Sequence, residues 1–503
     1  MKKINILLYF WAAIFMSSCN SFLEEPPTKE GERPKSIQQL LNFYNSYGKE
    51  EQTHYRTLIS DDAEVPFTEQ DVTENSGAYG KKVSLFRSAY FLRELNREDK
   101  NSSGRMLWYV SYGKINQSNY ILSIADDQNI SGSSEERSRL KAYAKFMRAN
   151  SLFDVVTTFC LPYAPGENDN ALGVVLRKTY NVDLVPSELT RSTLKESYDF
   201  IEKDILEAMD GLPDGNEVWK ITKKGVYAFA ARFYLMVGNN AEAQKYANLA
   251  LGKNDKLTDY TQYNVRTENV YGLNLEVFPC FYDITFIDAN TVKDIKELYY
   301  VEQATTSPYP YFPSTKLLDL YKNDGGANDM RMGYFAAGAA SLAGLMNFTT
   351  TNLYQYYMGY STSATMITSP SVPEMMLIKA ECLAEGGDLV GAKAELNKLR
   401  VKRIKNYNSA SVDNLTDKEQ VLNFIYDERR RECPFYLRGL DIRRLNAIKK
   451  KNIVIEKPFF EITATSITTT PQTYRLEPND NAYADFIYQG DITLSEGALQ
   501  QNP

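Results

Sequence analysis

Several residues and motifs that carry common catalytic and metal chemistry are scarce or missing in this chain of 503 residues. His54 is the only histidine, which argues against a histidine-rich zinc site and against most triads that need a histidine base. The chain has 5 cysteines, and no two of them form a C-x-x-C pair. It also lacks a phosphate-binding P-loop, a dinucleotide fingerprint and an H-E-x-x-H motif. The sequence therefore predicts no cofactor, no metal site and no assignable catalytic residue.

Positive charge and long apolar stretches are limited as well. The formal net charge is -7, from 57 Lys and Arg against 64 Asp and Glu, and no block of basic residues occurs. An acidic chain of this kind is a poor candidate for nucleic-acid binding. Beyond the N-terminal segment, no apolar stretch is long enough to cross a bilayer. We therefore expect a membrane contact through the N-terminus alone.

The N-terminal segment carries the most informative local pattern. After a short basic start, residues 6–16 are all apolar, and Ser17-Ser18-Cys19 follows. This order is typical of a secretion signal, and a cysteine directly after small residues resembles a bacterial lipobox. We predict a signal peptide over 1–18, a lipid on Cys19 and a flexible, Pro- and Glu-rich tether over 19–36. The alternative is an ordinary signal peptide with a chance cysteine.

Apolar residues recur at helical spacing in much of the remaining chain. The predicted single helices lie around residues 37–44, 108–122, 139–159, 193–211 and 314–321.

Two further segments, 224–251 and 374–401, share one pattern. Each predicts a helix, a tight Gly238-Asn239 or Gly387-Asp388 turn, and a second helix with several small alanines. This pattern resembles tetratricopeptide repeats, and the alternative is two ordinary helical hairpins. Because the two segments are far apart in sequence, we expect an interrupted array.

Residues 254–372 depart from the helical pattern. They are rich in Tyr, Phe, Thr, Asn, Gly and Pro, which predicts long loops with short strands. The tail beyond Lys451 predicts strand and loop. Loops carried by a rigid helical scaffold commonly bind ligands.

An ordered set of short motifs extends along the chain. They are Phe22-Leu23 and Pro26; Ala144 to Ala149 with Phe153-Asp154; Thr222 to Gly225; Ala250-Leu251; Pro313-Ser314 with Leu317-Leu318; Asp329 to Arg331; Glu374 with Ala380-Glu381; Gly387-Asp388 with Ala392 and Leu396 to Arg400; Ile425 to Glu432; and Arg438, Asp441 and Arg444. With the lipobox, this set resembles the SusD/RagB family of nutrient-binding outer-membrane lipoproteins of Bacteroidetes. The chain departs from the family pattern at Ser371-Val372-Pro373, where an Arg is usual, and at Tyr436-Leu437, where an acidic residue and Gly are usual.

The resemblance implies a mostly α fold over 37–503, with tetratricopeptide-type helix pairs and a loop-rich, minor-β ligand-binding region at 254–372. It implies a cell-surface protein, lipid-anchored in the outer membrane, that is not an enzyme. Such a protein binds a nutrient, most often a glycan, and delivers it to a SusC-like TonB-dependent transporter. A peptide ligand is the alternative within the family.

A sugar site needs aromatic faces for the apolar side of the ring, together with amides or carboxylates for its hydroxyls. Two groups of residues offer this combination, although each single aromatic serves packing as often as binding. The candidates are Asp61, Asp62, Phe67, Asn75 and Tyr79 in one group, and Tyr309, Tyr311 and Phe312 near Asn323 in the other.

Two polar runs have competing interpretations. The run 427–432 places Glu428 as a possible base, but Asp427 and Arg431 lie four residues apart, as in ion pairs that support a helix face. We therefore predict a structural role for it. The run 323–329 has oxygen donors for calcium, but it lacks the spacing of an EF-hand, which favours a Gly-rich turn.

Two other functional classes stay open. A surface glycoside hydrolase is one, although the sequence assigns no acid and nucleophile pair. A helical scaffold that binds only proteins is the other, because the predicted hairpins would suit it.

Overall fold

The computed structural model is mostly helical with few strands, as the sequence predicts. The residues that it describes are 34–42, 59–63, 103–181, 185–218, 220–252, 256–262, 266–270, 273–277, 297–300, 303–305, 313–337, 354–356, 365–459 and 472–503. These ranges contain 13 α-helices. The helices are α1 (Ile37–Asn42), α2 (Ser103–Ile124), α3 (Ser134–Phe159), α4 (Leu194–Met209), α5 (Lys223–Met236), α6 (Asn240–Leu251), α7 (Thr315–Lys322), α8 (Val372–Glu385), α9 (Leu389–Arg400), α10 (Ala410–Asp413), α11 (Lys418–Glu432), α12 (Tyr436–Ala447) and α13 (Gln489–Leu494).

Local capping signals set the starts of several helices. The sequence over 193–196 predicts a capping box, and Thr193 and Glu196 form it at the start of α4, each side chain bonding the backbone N–H of the other residue. The sequence over 416–419 predicts another, with Thr416 as the N-cap, and this prediction was wrong by one position. Asp417 is the N-cap of α11, and its side chain accepts a hydrogen bond from the N–H of Gln420 at 2.9 Å. Asp caps a helix as well as Thr does, so the sequence offered two adjacent candidates.

Both predicted helical hairpins are present, α5–α6 and α8–α9. Gly238 and Gly387 adopt φ values of 76° and 90° in their turns, a conformation that a residue with a Cβ rarely adopts. Helix α6 packs against α8, and α8 packs against α9 and α11. The array is therefore interrupted along the sequence but continuous in space, because α6 and α8, on either side of the long insertion, pack directly on each other.

The apolar core is centred on α3, which packs between α2 and α4. Phe146 and Phe153 of α3 each meet Phe229 of α5 edge-on, with ring centroids 5.5 Å apart. Glu374 at the start of α8 receives a buried arginine from another helix, Arg232 of α5, with N–O distances of 2.8 and 2.7 Å. The residues directly before Glu374, Ser371-Val372-Pro373, contain no arginine. The arginine that pairs with Glu374 comes from α5 instead.

The strands are short, and in the described ranges they form two-stranded antiparallel sheets. The pairs are β1 (Arg266–Val270) with β2 (Leu273–Val277), β3 (Gln303–Thr305) with β6 (Thr365–Ile367), β4 (Phe335–Ala337) with β5 (Tyr354–Tyr356), and β7 (Ile455–Phe459) with β8 (Gln472–Leu476). Three pairs lie in the predicted loop-rich region and one in the tail. The tail also contains α13, a helix that the strand-and-loop prediction missed.

Three cysteines fall within the described ranges, and all are free thiols: Cys160, Cys382 and Cys433. Burial raises the pKa of the Cys382 thiol to about 12. In these same ranges, no helix is long and apolar enough to span a membrane.

Candidate functional site

Most of the predicted ligand contacts, namely Phe67, Asn75, Tyr79, Tyr309, Tyr311 and Phe312, lie outside the described residues, as does Cys19. They stay predictions. Asp61 and Asp62 are described, and they lie in a short turn over 59–63 that packs against the C-terminal helices.

Both aspartates are engaged by arginines of α11 and α12. Asp61 accepts bonds from Nε and Nη2 of Arg438 at 2.6 and 2.9 Å. Oδ1 of Asp62 accepts from Nε of Arg430 at 2.8 Å, and its Oδ2 accepts from the N–H of Phe435 at 3.1 Å. These contacts occupy both carboxylates from the protein side, which favours a role in holding the turn in place.

The electrostatic environments of the two carboxylates differ. Burial raises the pKa of Asp61, but Arg438 and Arg430 outweigh burial and hold that pKa below its usual range. Burial also raises the pKa of Asp62, which is completely inaccessible to solvent, and Arg430 offsets only part of this effect. Asp61 is therefore the more strongly stabilised anion of the pair.

The turn over 59–63 contacts Pro313 and Ser314, which directly follow the second predicted group in the chain. Ala63 and Pro313 form an antiparallel bridge. The N–H of Ser314 donates to the carbonyl of Asp62 at 2.6 Å, and Oγ of Ser314 donates to the carbonyl of Asp61 at 2.7 Å. Phe312 precedes Pro313 in the chain, and Phe67 lies four residues after Ala63. The described residues next to the two predicted groups therefore lie side by side.

Asn323 lies at the other end of the element that follows Pro313. It caps the C-terminus of α7, about 13.5 Å along the helix from Ser314 at the usual rise per residue. The sequence placed Asn323 near Tyr309, Tyr311 and Phe312. The helix between Ser314 and Asn323 separates it from the Pro313 end of the site.

The charged run of α11 forms a buried ion network. Glu428 accepts bonds from Nη1 of Arg331 at 2.7 Å, of Arg400 at 2.6 Å and of Arg431 at 2.9 Å. Burial raises the pKa of Glu428, but Arg331, Arg400 and Arg431 outweigh it and hold the pKa well below the usual range. A carboxylate held ionised by three arginines is a poor proton acceptor. The predicted structural role agrees with this arrangement. The spacing indicated Asp427 as the partner of Arg431, but Arg431 pairs with Glu428 and Asp324.

The run 323–329 forms a turn whose carboxylates also face arginines. Asp329 accepts from Nε and Nη2 of Arg331 at 2.9 and 2.7 Å, and Asp324 lies 2.8 Å from Nη2 of Arg400. Across the described part of the chain, no group of three His, Cys, Asp or Glu side chains is placed to hold a metal ion.

Sequence reasoning missed Arg430 and Arg438 as partners of the predicted site. Arg430 is 368 residues from Asp62 along the chain, and Arg438 is 377 residues from Asp61. The only signal was the pair of adjacent acids in one segment and the cluster of arginines in another.

Comparison with known protein families shows to which family the chain belongs. Residues 21–235 match a family model described as SusD-like, starch-binding and associating with the outer membrane, and residues 313–503 match the model of the SusD family. The chain belongs to the SusD family. The two matches flank residues 236–312, so the family signal covers both the turn over 59–63 and the helices that hold it.

Solved structures share the fold of this SusD-family chain. A SusD superfamily protein from Bacteroides thetaiotaomicron is 17% identical, with a TM-score of 0.63, and the match covers 93% of this chain and 99% of that one. A putative sugar-binding protein from Bacteroides vulgatus is 19% identical, with a TM-score of 0.63 and coverage of 94% and 99%. A laminarin-binding SusD-like protein is 16% identical, with a TM-score of 0.55 and coverage of 93% and 98%. A search of curated proteins found no match.

Proposed function

We propose that this SusD-family protein is a cell-surface lipoprotein that binds a glycan and delivers it to a SusC-like TonB-dependent transporter in the outer membrane. The observation that carries the glycan part is the junction of the turn over 59–63 with Pro313-Ser314. At this junction the described residue before one aromatic-rich segment, Ala63, meets the described residue after the other, Pro313. We expect the aromatic faces of these two segments to meet one sugar ring.

In this proposal, Phe67, Tyr79, Tyr309, Tyr311 and Phe312 supply the aromatic faces. Asn75 supplies an amide to the sugar hydroxyls. Asp61 and Asp62 lie at the base of the site, where their carboxylates are bonded to arginines. The sugar-binding and laminarin-binding descriptions of the relatives support a carbohydrate ligand for this chain.

The test is retention of a soluble form that lacks Cys19 in native gels containing different polysaccharides, with product analysis of each mixture. We expect retardation by at least one polysaccharide and no shortened products. Alanine substitutions at Tyr311 and Phe312 should reduce the retardation. Tyr109→Ala is the matched control, because Tyr109 is an aromatic on α2 with 67% of its surface exposed and lies outside the proposed site.

The other outcomes separate the alternatives. Retardation with shortened products would identify an enzyme and overturn the proposal. No retardation by any polysaccharide would also overturn the glycan part, and peptide ligands would then be tested in the same way.

The membrane part of the proposal needs a separate experiment. Cys19→Ala should prevent labelling by a fatty acid and release the protein from the outer membrane, whereas the wild type should copurify with a barrel transporter from native membranes. Labelling that persists in the variant, or a wild type that copurifies with no barrel, would contradict this part.

A further inference from the structure

We propose that Asp62 is a positioning residue: its buried carboxylate fixes the place where the two candidate ligand-binding segments meet the helical body. This inference rests on the proposed function. It differs from a direct contact with ligand, because Asp62 acts through the groups that it holds.

Asp62 makes contact with three separate parts of the chain. Its carboxylate accepts a hydrogen bond from Nε of Arg430, near the end of α11, at 2.8 Å, and Nη2 of the same arginine lies 2.7 Å away as an ion-pair contact. The same carboxylate accepts the N–H of Phe435 between α11 and α12. Its carbonyl accepts the N–H of Ser314, the N-cap of α7, at 2.6 Å. One residue therefore sets the distance between the C-terminal helices, α7 and its own turn.

The bond to Phe435 supports an unusual backbone. Phe435 has a φ of 66° and occupies the N-cap position of α12 without a side-chain cap. A non-glycine residue in this conformation is strained and persists only where its surroundings hold it. The carboxylate of Asp62 accepts the N–H of this residue at 3.1 Å, so it helps to fix the direction in which α12 begins.

Asp61 strengthens the same junction from the next position. Its bidentate pair with Arg438 connects the turn to the first part of α12, and its carbonyl accepts Oγ of Ser314. The bridge between Ala63 and Pro313 follows directly. A shift of Asp62 would therefore move Ala63 and Pro313, the described residues next to the two candidate segments, relative to the helices. A displacement of about 1 Å is enough to weaken a site built from several contacts.

The experiment compares two buried aspartates in matched ion pairs. Asp62→Asn keeps the size of the side chain but replaces one carboxylate oxygen by an NH2 group. The NH2 group cannot accept a hydrogen bond, so the variant loses the acceptor for either Arg430 or Phe435. Asp204→Asn is the control, because the side chain of Asp204 is 1% exposed and forms a bidentate pair with Arg148 at 2.7 and 2.8 Å. Asp204 lies on α4 and pairs with α3, outside the junction.

Both variants should lose thermal stability, but only Asp62→Asn should lose glycan affinity, by about tenfold or more, since misplaced contacts weaken together. Affinity is measured with the polysaccharide that retards the wild type, well below the melting temperature of either variant. Equal losses of affinity in the two variants, or an unchanged affinity in Asp62→Asn, would overturn the inference. If Asp62→Asn does not fold, Asp61→Asn serves in its place and should lose affinity in the same direction.

A readout without ligand separates this inference from the proposed function. Native-state hydrogen exchange at the N–H groups of Ser314 and Phe435 should become faster in Asp62→Asn and stay unchanged in Asp204→Asn. Unchanged exchange at both groups in Asp62→Asn would overturn the positioning role. A wild type that binds no polysaccharide would refute the proposed glycan function, and the exchange experiment would still decide the role of Asp62.

Discussion

Helices α3 and α11 are both deeply buried, but α11 buries a longer run of charged side chains than α3 does. Helix α3 packs between α2 and α4, and its Phe146 and Phe153 meet Phe229 of α5. Helix α11 buries five consecutive charged residues, from Glu428 to Glu432. Apolar burial is non-directional, so these side chains of α3 need only apolar neighbours of suitable size. Each buried charge of α11 needs a partner at a defined distance, because an unpaired buried charge is strongly unfavourable.

The comparison also separates the two parts of the molecule by function. The apolar packing around α3 forms the body of the helical scaffold, whereas the arginines of α11 and α12 reach the turn that begins the proposed ligand site. Directional ion pairs are suited to this task, because they fix the position of a loop that has little apolar surface to bury.

The largest effect is expected at the centre of the ion network. Glu428→Gln should lower the free energy of unfolding by about 3 to 5 kcal/mol, because it leaves Arg331, Arg400 and Arg431 with too little negative charge. Urea denaturation measures the loss. Glu419→Gln, at an exposed position of the same helix, is the control and should be nearly neutral. A loss below about 1 kcal/mol in Glu428→Gln would show that α11 is no more sensitive than a surface helix.

The second prediction concerns pH and tests the charged region alone. Burial raises the pKa of Asp441, but Arg429 and Arg444 outweigh it and lower the pKa from 3.8 to about 2. The unfolded chain therefore binds this proton first as the pH falls. The stabilisation by Asp441, about 2 kcal/mol, is complete above pH 4 and is lost as the pH falls towards 2.

Unfolding curves at several pH values check this expectation. The stability of the wild type should fall more steeply below pH 4 than that of Asp441→Asn. If the free energy of unfolding fell equally with pH in the two proteins, Asp441 would not contribute to the acid sensitivity.

A smaller effect is expected in the apolar region. Ile201→Val on α4 removes one methylene from a fully buried site and should cost about 1 kcal/mol. The loss should be the same at pH 7 and pH 4, because no charge is involved. A loss that changes with pH would mean that the two regions are energetically coupled.

The smallest effect sharpens the contrast between buried and exposed ion pairs. Lys141→Gln removes the exposed pair with Asp126, whose N–O distance is 2.6 Å. We expect a loss of about 0.5 kcal/mol or less, since solvent screens this pair. Thermal melts at low and high salt measure it. If Lys141→Gln lost as much stability as Glu428→Gln, burial would not explain why some ion pairs stabilise the protein more than others.

The sequence by itself determined most of the helices, including both hairpins and the box that starts α4, but it predicted neither α10 nor α12. Apolar periodicity and capping are local signals, readable within one or two turns. It also determined family membership, because the motifs keep their order along the chain. The helix over 489–494 was missed, since six residues give too little periodicity to detect.

Only the tertiary structure decided which charges meet, and with them the base of the proposed site. Nothing in the local pattern around Asp61-Asp62 indicates Arg430 or Arg438, and nothing near Glu374 indicates Arg232. The same holds for the bridge between Ala63 and Pro313, the described residues at which the two segments with the predicted groups end or begin. Local patterns report the preferences of neighbouring residues, whereas an ion pair across several hundred residues exists only once packing has fixed both partners. The aromatic contacts to ligand stay predictions.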